Sequence, residues 1–271
     1  MPNENKKEVT DLPYALKDKR HLGKNETFCF DCHKGLDCFT RCCSDVNIIL
    51  TPLDILRLSR ELKITTTEFL DKHTLAPITR DLELPVLLLK MSDEEDKKCP
   101  FLTEEGCGVY DSRPWSCRMY PVGMAIPPAR AGEEPDPIFF LFEDDFCDGV
   151  KEQKEWSVEQ WRSNQGVNER EELESGYREI VTHPWFIGGR KLDPKRLEMF
   201  YMASYDLDTF RRFIFESTFL ERFTIDEKEI EKMRADDEAL LRFASKWLRY
   251  ALFGEPTMTV REDAQDPGRN Q

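Results

Sequence analysis

Five of the nine cysteines fall between positions 29 and 43, four more follow singly at 99, 107, 117 and 147, and none follows in the last 124 residues (271 − 147). A chain that used cysteine as a small apolar filler would scatter it. The beginning, Met-Pro-Asn-Glu-Asn-Lys-Lys-Glu, has no apolar core of a secretory signal. The longest apolar run, Leu84-Pro-Val-Leu-Leu-Leu89, is far short of the roughly 20 residues that span a bilayer. These features point to a cytoplasmic protein with no membrane partner, where thiols stay reduced. Clustered cysteines in that setting point to metal rather than to disulfides.

The first group reads C-x2-C-x5-C-x3-C-C. Neighbouring side chains diverge in most backbone conformations, so Cys42 and Cys43 do not easily serve one tetrahedral ion. They suit two metals, two atoms of one cluster, or one metal and another role. Eight cysteines would make two four-cysteine sites, or one cluster with extra thiols, leaving one over. Thiolates suit zinc, iron–sulfur centres and copper(I), and spacing does not choose among them. The competing reading is a set of buried, reduced structural thiols. His33 directly follows Cys32 and is weighed as a ligand against a capping or surface role; His21, His73 and His183 carry no ligand spacing. Arg113, Arg118 and Tyr120 flank Cys117. The arginines either hydrogen-bond thiolate or cluster sulfurs, or Arg113 pairs with a local carboxylate such as Asp111.

Lys plus Arg is 39 and Asp plus Glu is 53, a formal charge of −14. Such a surface repels phosphates and anionic membranes, and the longest basic runs are Asp18-Lys-Arg20 and Arg190-Lys191. Nucleic-acid binding is therefore not expected. Hydrophobic residues at 39% and charged residues at 34% over 271 positions suffice for one large domain or two small ones.

The expected fold is α+β and mainly α: a cysteine-rich core with a few short strands, followed by a helical C-terminal half. Residues 1–25 are polar and read as a flexible arm, 26–150 as the metal-binding region, 151–256 as a helical region packed on it, and 257–271 as a disordered tail. Thr51-Pro52-Leu53-Asp54 is a helix start, with Thr51 as cap, Pro52 in the first position and Asp54 in the third. That helix should end near Leu62, and a second should run from Thr66 to His73. A buried strand is expected within 82–91, and 92–98 should be a hairpin-like loop. A small two-stranded unit should carry Cys99 and Cys107. Ser112 or Asp111 should cap a helical turn presenting Cys117, and Pro127–Pro137 should be a loop. Ile138–Phe142 reads as a strand leading to Cys147. Ser157 opens a helix bearing Trp161, and Leu192–Phe223 reads as two helices, with Asp206 or Asp208 capping the second. The last helix starts near Asp237 and stops at Gly254. The aromatic series Phe200, Tyr201, Phe210, Phe213, Phe215, Phe219 and Phe223 reads as core packing rather than a substrate pocket.

Five stretches carry a family resemblance: Cys32-His-Lys-Gly-Leu-Asp-Cys38-Phe-Thr-Arg-Cys42-Cys43, Leu50-Thr-Pro-Leu-Asp54, Cys99-Pro-Phe-Leu102, Cys107-Gly-Val-Tyr110 and Arg113-Pro-Trp-Ser-Cys117-Arg-Met-Tyr-Pro121. Together they resemble the YkgJ-type cysteine cluster proteins, with their zinc- or iron-chelating CxxCxxCC domain. The resemblance covers residues 29–147. It implies metal ligation by Cys32, Cys38, Cys42, Cys43, Cys99, Cys107, Cys117 and Cys147, with Cys29 outside the pattern. The first group departs from plain C-x2-C-x2-C-C by its longer x5 and x3 spacers. The implied cofactor is an iron–sulfur cluster such as 4Fe-4S, ahead of zinc. Some family members are named flagellin lysine N-methylases, so a cluster-dependent methylase is one alternative. A structural zinc protein whose helical half binds a protein partner is another. The radical S-adenosylmethionine pattern C-x3-C-x2-C starts at Cys38-x3-Cys42 but meets Asp45 where its third cysteine belongs.

Overall fold

The computed structural model describes residues 18–23, 26–77, 84–126, 136–186 and 189–261. The helix start at Thr51 forms as its residues dictate. Thr51 Oγ1 accepts from Asp54 N at 3.2 Å and Thr51 N donates to Asp54 Oδ2 at 3.1 Å, a reciprocal capping box. Helix α1 (Pro52–Glu61) then buries Leu53, Ile55, Leu56 and Leu58. Thr65 caps α2 (Thr66–His73) by accepting from Glu68 N at 3.1 Å.

Three strands lie beside these helices. Leu87–Leu89 pairs antiparallel with Ile49–Leu50 on one side and Thr74–Leu75 on the other. Side chains alternate across the sheet. Leu50, Leu87 and Leu89 enter the core, while the row Ile49, Leu88, Leu75 faces outward, with Ile49 and Leu75 each 52% exposed. Residues 92–98 close as a loop, with Ser92 N donating to Lys98 O at 2.8 Å and Lys97 N to Glu94 O at 2.9 Å. Lys98 also lies opposite Ser44 in an antiparallel bridge, and Asp45 N donates to Lys97 O at 3.1 Å. The Asp45 amide is thereby satisfied by a segment far along the chain, which is invisible to local pattern.

A second sheet has the order Arg20–Leu22, Ile138–Leu141, Val122–Ala125, all antiparallel neighbours. Residues 20–22 are thus a strand rather than part of a loose arm. They fill the open edge of Ile138–Leu141 and insert Leu22 into the core at 6% exposure. Residues 1–17 and 127–135 lie outside the described residues. A further pair, Thr27–Cys29 with Glu155–Ser157, ties the entry of the cysteine region to the start of the helical half.

Helix α3 (Trp115–Met119) carries Cys117, but its cap is Pro114 rather than Ser112 or Asp111. Tyr110–Ser112 forms a separate 3-10 turn that precedes it. Ser157 opens α4 (Val158–Asn164) with a complete capping box to Gln160. Next come α5 (Val167–Leu173), α6 (Ser175–Val181), α7 (Pro194–Tyr205), α8 (Leu207–Glu216), the short α9 (Phe219–Arg222), α10 (Glu227–Ala235) and α11 (Asp237–Phe253). Asp206 caps α8 and Gly254, at φ 73, ends α11. Thr259–Val260 pairs with Phe223–Thr224, so ordered structure extends into the segment expected as tail; residues 262–271 lie outside the described residues. Among the described residues no helix is long and apolar enough to cross a membrane.

Two hydrophobic cores result. The first joins α1, α2 and the Leu87–Leu89 sheet to helices α6–α11, and it includes the fully buried Phe69, Phe200 and Phe210. Each such side chain contributes roughly 1.5–3 kcal/mol by leaving water. Phe210, Phe213 and Phe219 pack around Trp247, so the aromatic series is core. The second core is smaller and gathers Leu22, Phe28, Phe30, Met119, Val122, Leu141, Cys147, Val158, Trp161 and Val167.

Candidate metal centre

All nine cysteines are unpaired thiols. Thr40 adopts a left-handed conformation (φ 69) and turns the chain into a single 3-10 turn, Arg41–Cys43. Cys43 O then accepts from Cys99 N at 2.8 Å, placing these two cysteines side by side. The Cys99 sulfur receives the backbone amides of Phe101 and Leu102. Three residues beyond Cys99, Leu102–Thr103 folds back on Gly106–Cys107 through a tight hairpin. Gly106 sits at φ 115 in that hairpin, and a Cβ there would lie 3.3 Å from the Phe39 ring. Cys117 is delivered by α3, which is anchored at two points: Trp115 N donates to Asp54 Oδ1 at 2.9 Å and Ser116 Oγ donates to Ile49 O at 3.1 Å.

A second set of contacts collects Cys32, Cys38 and Cys147. Phe30 N donates to Lys154 O at 2.8 Å and Asp31 N to Gly149 O at 3.1 Å, laying the entry segment against residues 147–154. The approach needs glycine, because a Cβ at Gly149 would stand 2.9 Å from Asp31 O. Asp148 N donates to Cys38 Sγ at 3.2 Å. Tyr120 OH bonds Cys147 and donates to Asp144 Oδ2 at 3.2 Å. Cys38 and Cys147 are buried, whereas Cys32 is exposed as a residue.

Electrostatics report which thiols are neighbours. Cys42 accepts a hydrogen bond from the Cys43 thiol, which lowers its pKa to about 7 against the cost of burial; the Arg113 charge adds to the lowering. Cys43 is pushed up, first by that donated bond, then by burial and by Cys42, Cys99 and Cys117. Burial raises Cys117, with Asp54, Cys99, Cys107 and Cys42 adding to it. Burial also raises Cys32 to about 11, and Cys42, Cys147 and Cys38 are its next contributors. Charge thus links Cys32 with Cys42, Cys147 and Cys38, and Cys117 with Cys99, Cys107 and Cys42. Among the described residues no three His, Cys, Asp or Glu side chains converge in the arrangement that holds one metal ion.

The remaining candidates separate from the group. Cys29 is exposed on its strand opposite Glu155, and with Cys147 it borders an open cleft of about 560 Å³. His33 is exposed, and its Nδ1 accepts from Gly35 N at 3.1 Å, a turn-capping role. His183 stacks on Phe253 with ring centroids 3.8 Å apart and contacts Glu255; His73 packs against Phe69 and Phe101. Arg113 stacks on Tyr110 and donates to Gln165 Oε1 at 2.9 Å, so it acts on Cys42 by charge. Arg118 donates to the carbonyl oxygens of Arg113, Gln165 and Asp111. Of the two alternatives for these arginines, neither a bond to a sulfur nor an Arg113–Asp111 carboxylate pair forms among the described residues; the backbone clamps hold the loop around α3.

Behind Cys117 lies a buried ionic group with no counterpart in the sequence reading. Asp54 is wholly buried, and its Oδ1 accepts from both Trp115 N and Arg170 Nη1, the latter at 3.1 Å. Glu174 Oε1 accepts from Leu53 N at 2.9 Å. Burial raises Asp54 and pushes Glu174 up to about 8, and it lowers Arg170 to about 10. An Asp at the third helical position signals a capping box, and that signal conceals its second role here.

The cysteines from Cys32 to Cys147 thus sit on short strands, turns and one short helix as unpaired thiols. Residues 31–148 match the CxxCxxCC family model, described as a "putative zinc- or iron-chelating domain". No curated protein and no solved structure matches the chain.

Proposed function

We propose that the protein is an iron–sulfur protein whose cluster iron is held by thiolates from Cys32, Cys38, Cys42, Cys43, Cys99, Cys107, Cys117 and Cys147. The observation that carries this reading is a set of reduced thiols from separate segments, with Cys32 linked by charge to Cys42, Cys147 and Cys38, and Cys117 to Cys99, Cys107 and Cys42. The donor set is all sulfur, which suits iron–sulfur centres and zinc and disfavours hard cations. The spread of the sulfurs favours iron–sulfur. A cluster distributes its thiolates over separate irons, whereas a zinc ion draws four of them to one point at about 2.3 Å. Amide donors to Cys38 and Cys99 and the cation of Arg113 near Cys42 would offset the negative charge of thiolates and set a cluster's potential.

In such a centre the chain's residues bind and orient; each thiol gives its proton to solvent on ligation. The test is iron, sulfide and zinc analysis with an absorption spectrum on protein purified without oxygen. A brown protein absorbing near roughly 400 nm with equal iron and sulfide is expected, characteristic of an iron–sulfur cluster. A colourless protein containing only zinc would overturn the iron–sulfur reading. Cys42→Ala and Cys43→Ala should each lower metal content, and full retention by both would overturn the ligand assignment.

A further inference from the structure

We propose that Cys43 and Cys99 form a site of reversible oxidation, at which a peroxide joins their two sulfurs in a disulfide when the protein is free of metal. The bond itself stands apart from the metal-binding reading above; only its effect on metal content rests on that reading.

Chain register brings the two residues face to face. Ser44 lies opposite Lys98 in an antiparallel bridge. One step back on the first segment and one step forward on the second set Cys43 opposite Cys99, and Cys99 N donates to Cys43 O at 2.8 Å. Residues opposed at a hydrogen-bonded antiparallel position have Cα atoms about 5.5 Å apart. A disulfide spans about 4.4–6.8 Å between Cα atoms. Rotation of the two side chains therefore suffices to close the bond, and the backbone can stay where it is.

The register is held at a conformational cost. On the other side of the bridge, Asp45 (φ 51) and Lys97 (φ 43) are both left-handed, a conformation that side chains bearing a Cβ seldom adopt. Asp45 N donates to Lys97 O at 3.1 Å, and the Lys97 ammonium pairs with Asp45 Oδ1 at 2.8 Å. A strained, ion-paired clamp thus fixes the ends of the segments that carry Cys43 and Cys99.

The other neighbours of Cys43 fit a bond less well. The charges of Cys42, Cys99 and Cys117 all reach it. The Cys42 and Cys43 thiols hydrogen-bond each other. Consecutive Cα atoms, however, are only about 3.8 Å apart, below the span of an unstrained disulfide. Cys117 rides on α3, whose anchors run to Asp54 and Ile49 rather than to the Cys43 segment. Cys43 and Cys99 are half-buried, and the Lys97 and Asp45 side chains beside them are 58% and 73% exposed, so a small oxidant reaches the pair.

Hydrogen peroxide supplies the balance. One thiol sulfur attacks the O–O bond and keeps one hydroxyl as a sulfenic acid, while its proton leaves with the other hydroxyl as water. The second thiol then attacks that sulfur. The S–O bond breaks, and the second proton leaves with the hydroxyl as another water. The two sulfurs give up two electrons and the peroxide takes them. The bond withdraws two of the thiols assigned above to metal, so the oxidised protein should take up less metal until a thiol reductant reopens it.

The experiment uses the full chain, stripped of metal under reducing conditions and then treated with a stoichiometric amount of hydrogen peroxide. Free thiols should fall from nine to seven (9 − 2), and dithiothreitol should restore all nine. Fragmentation mass spectrometry of the unreduced digest should place the bond between Cys43 and Cys99, and Cys42→Ser should form the same bond. An unchanged thiol count, a bond from Cys43 to Cys42 or Cys117, or a bond between two chains overturns the proposal, and none of these results needs a variant to fold. Iron and zinc loading is then compared between the bridged and reduced forms. A bridged protein that loads as much metal as the reduced one overturns the ligand assignment of this pair and leaves the bond standing, so the two failures are distinguishable.

Discussion

Removing the Asp54 carboxylate tests whether the buried ionic group holds Cys117 in place. Asp54 and Arg170 are 0% and 2% exposed. Asp54→Ala deletes the acceptor for Thr51 N, Trp115 N and Arg170 Nη1 together. It leaves a buried guanidinium whose Nη2 has no partner even in the intact protein. Breaking a buried pair on one side costs about 3–5 kcal/mol, and loss of the capping box adds about 1 kcal/mol. The sum is a large part of the stability of a typical domain, about 5–15 kcal/mol. Asp54→Asn/Arg170→Met removes both charges and keeps an amide oxygen for Trp115 N. Its cost should fall well below the sum of the two single substitutions. The assay is urea unfolding followed by tryptophan fluorescence at fixed metal loading. An Asp54→Ala protein within about 1 kcal/mol of wild type, or an additive double variant, would refute the argument.

Glu174 gives a pH signature. Its pKa is raised from 4.5 to about 8 by burial, with Asp54 adding to it, so folding draws a proton onto it. Its contribution is fully present below pH 4.5 and is lost as pH rises toward 8, with a slope of up to about 1.4 kcal/mol per pH unit. Glu174→Gln should flatten that decline in unfolding free energy, and an unchanged slope would point to other groups. Gly149→Ala should push residues 147–151 away from Asp31 and lower metal content by up to half, read by metal analysis; full occupancy would show that the contact is dispensable. Cys29→Ser should leave metal content unchanged, and a loss of metal would bring Cys29 into the ligand set.

The start of α1 was legible because its signals are local: a Thr cap, Pro in the first position and Asp in the third act within one turn. Gly254 was legible for the same reason. The edge strand Arg20–Leu22 was not, since its partner lies some 120 residues away and three residues carry no pattern of their own. Val122–Ala125 escaped because Gly123 interrupts its apolar run. That glycine is there for the Phe140 ring, which a Cβ would meet at 2.3 Å. The cysteine set was legible as a list but not as an arrangement. Spacing along the chain says nothing of the Ser44–Lys98 bridge that brings Cys43 to Cys99, or of the Asp148 amide that reaches Cys38.

Helix α3 shows why the cysteine region and the helical half depend on each other. Its Met119 is buried in the second core and Trp115 packs against it, yet its Cys117 lies within reach of the charges of Asp54, Cys99, Cys107 and Cys42. The helix is only five residues long, too short to hold a position by itself. Its place is set from both sides. Asp54, on α1 in the first core, takes the amide of Trp115, and Trp161 of α4 donates to Met119 O at 3.0 Å. Arg170 of α5 in turn neutralises Asp54. A change in either core is therefore transmitted to the angle at which Cys117 meets its neighbours. Substitutions in α5 that break the Arg170–Asp54 contact should therefore disturb Cys117 before they disturb Cys38, which is bonded to the Asp148 amide.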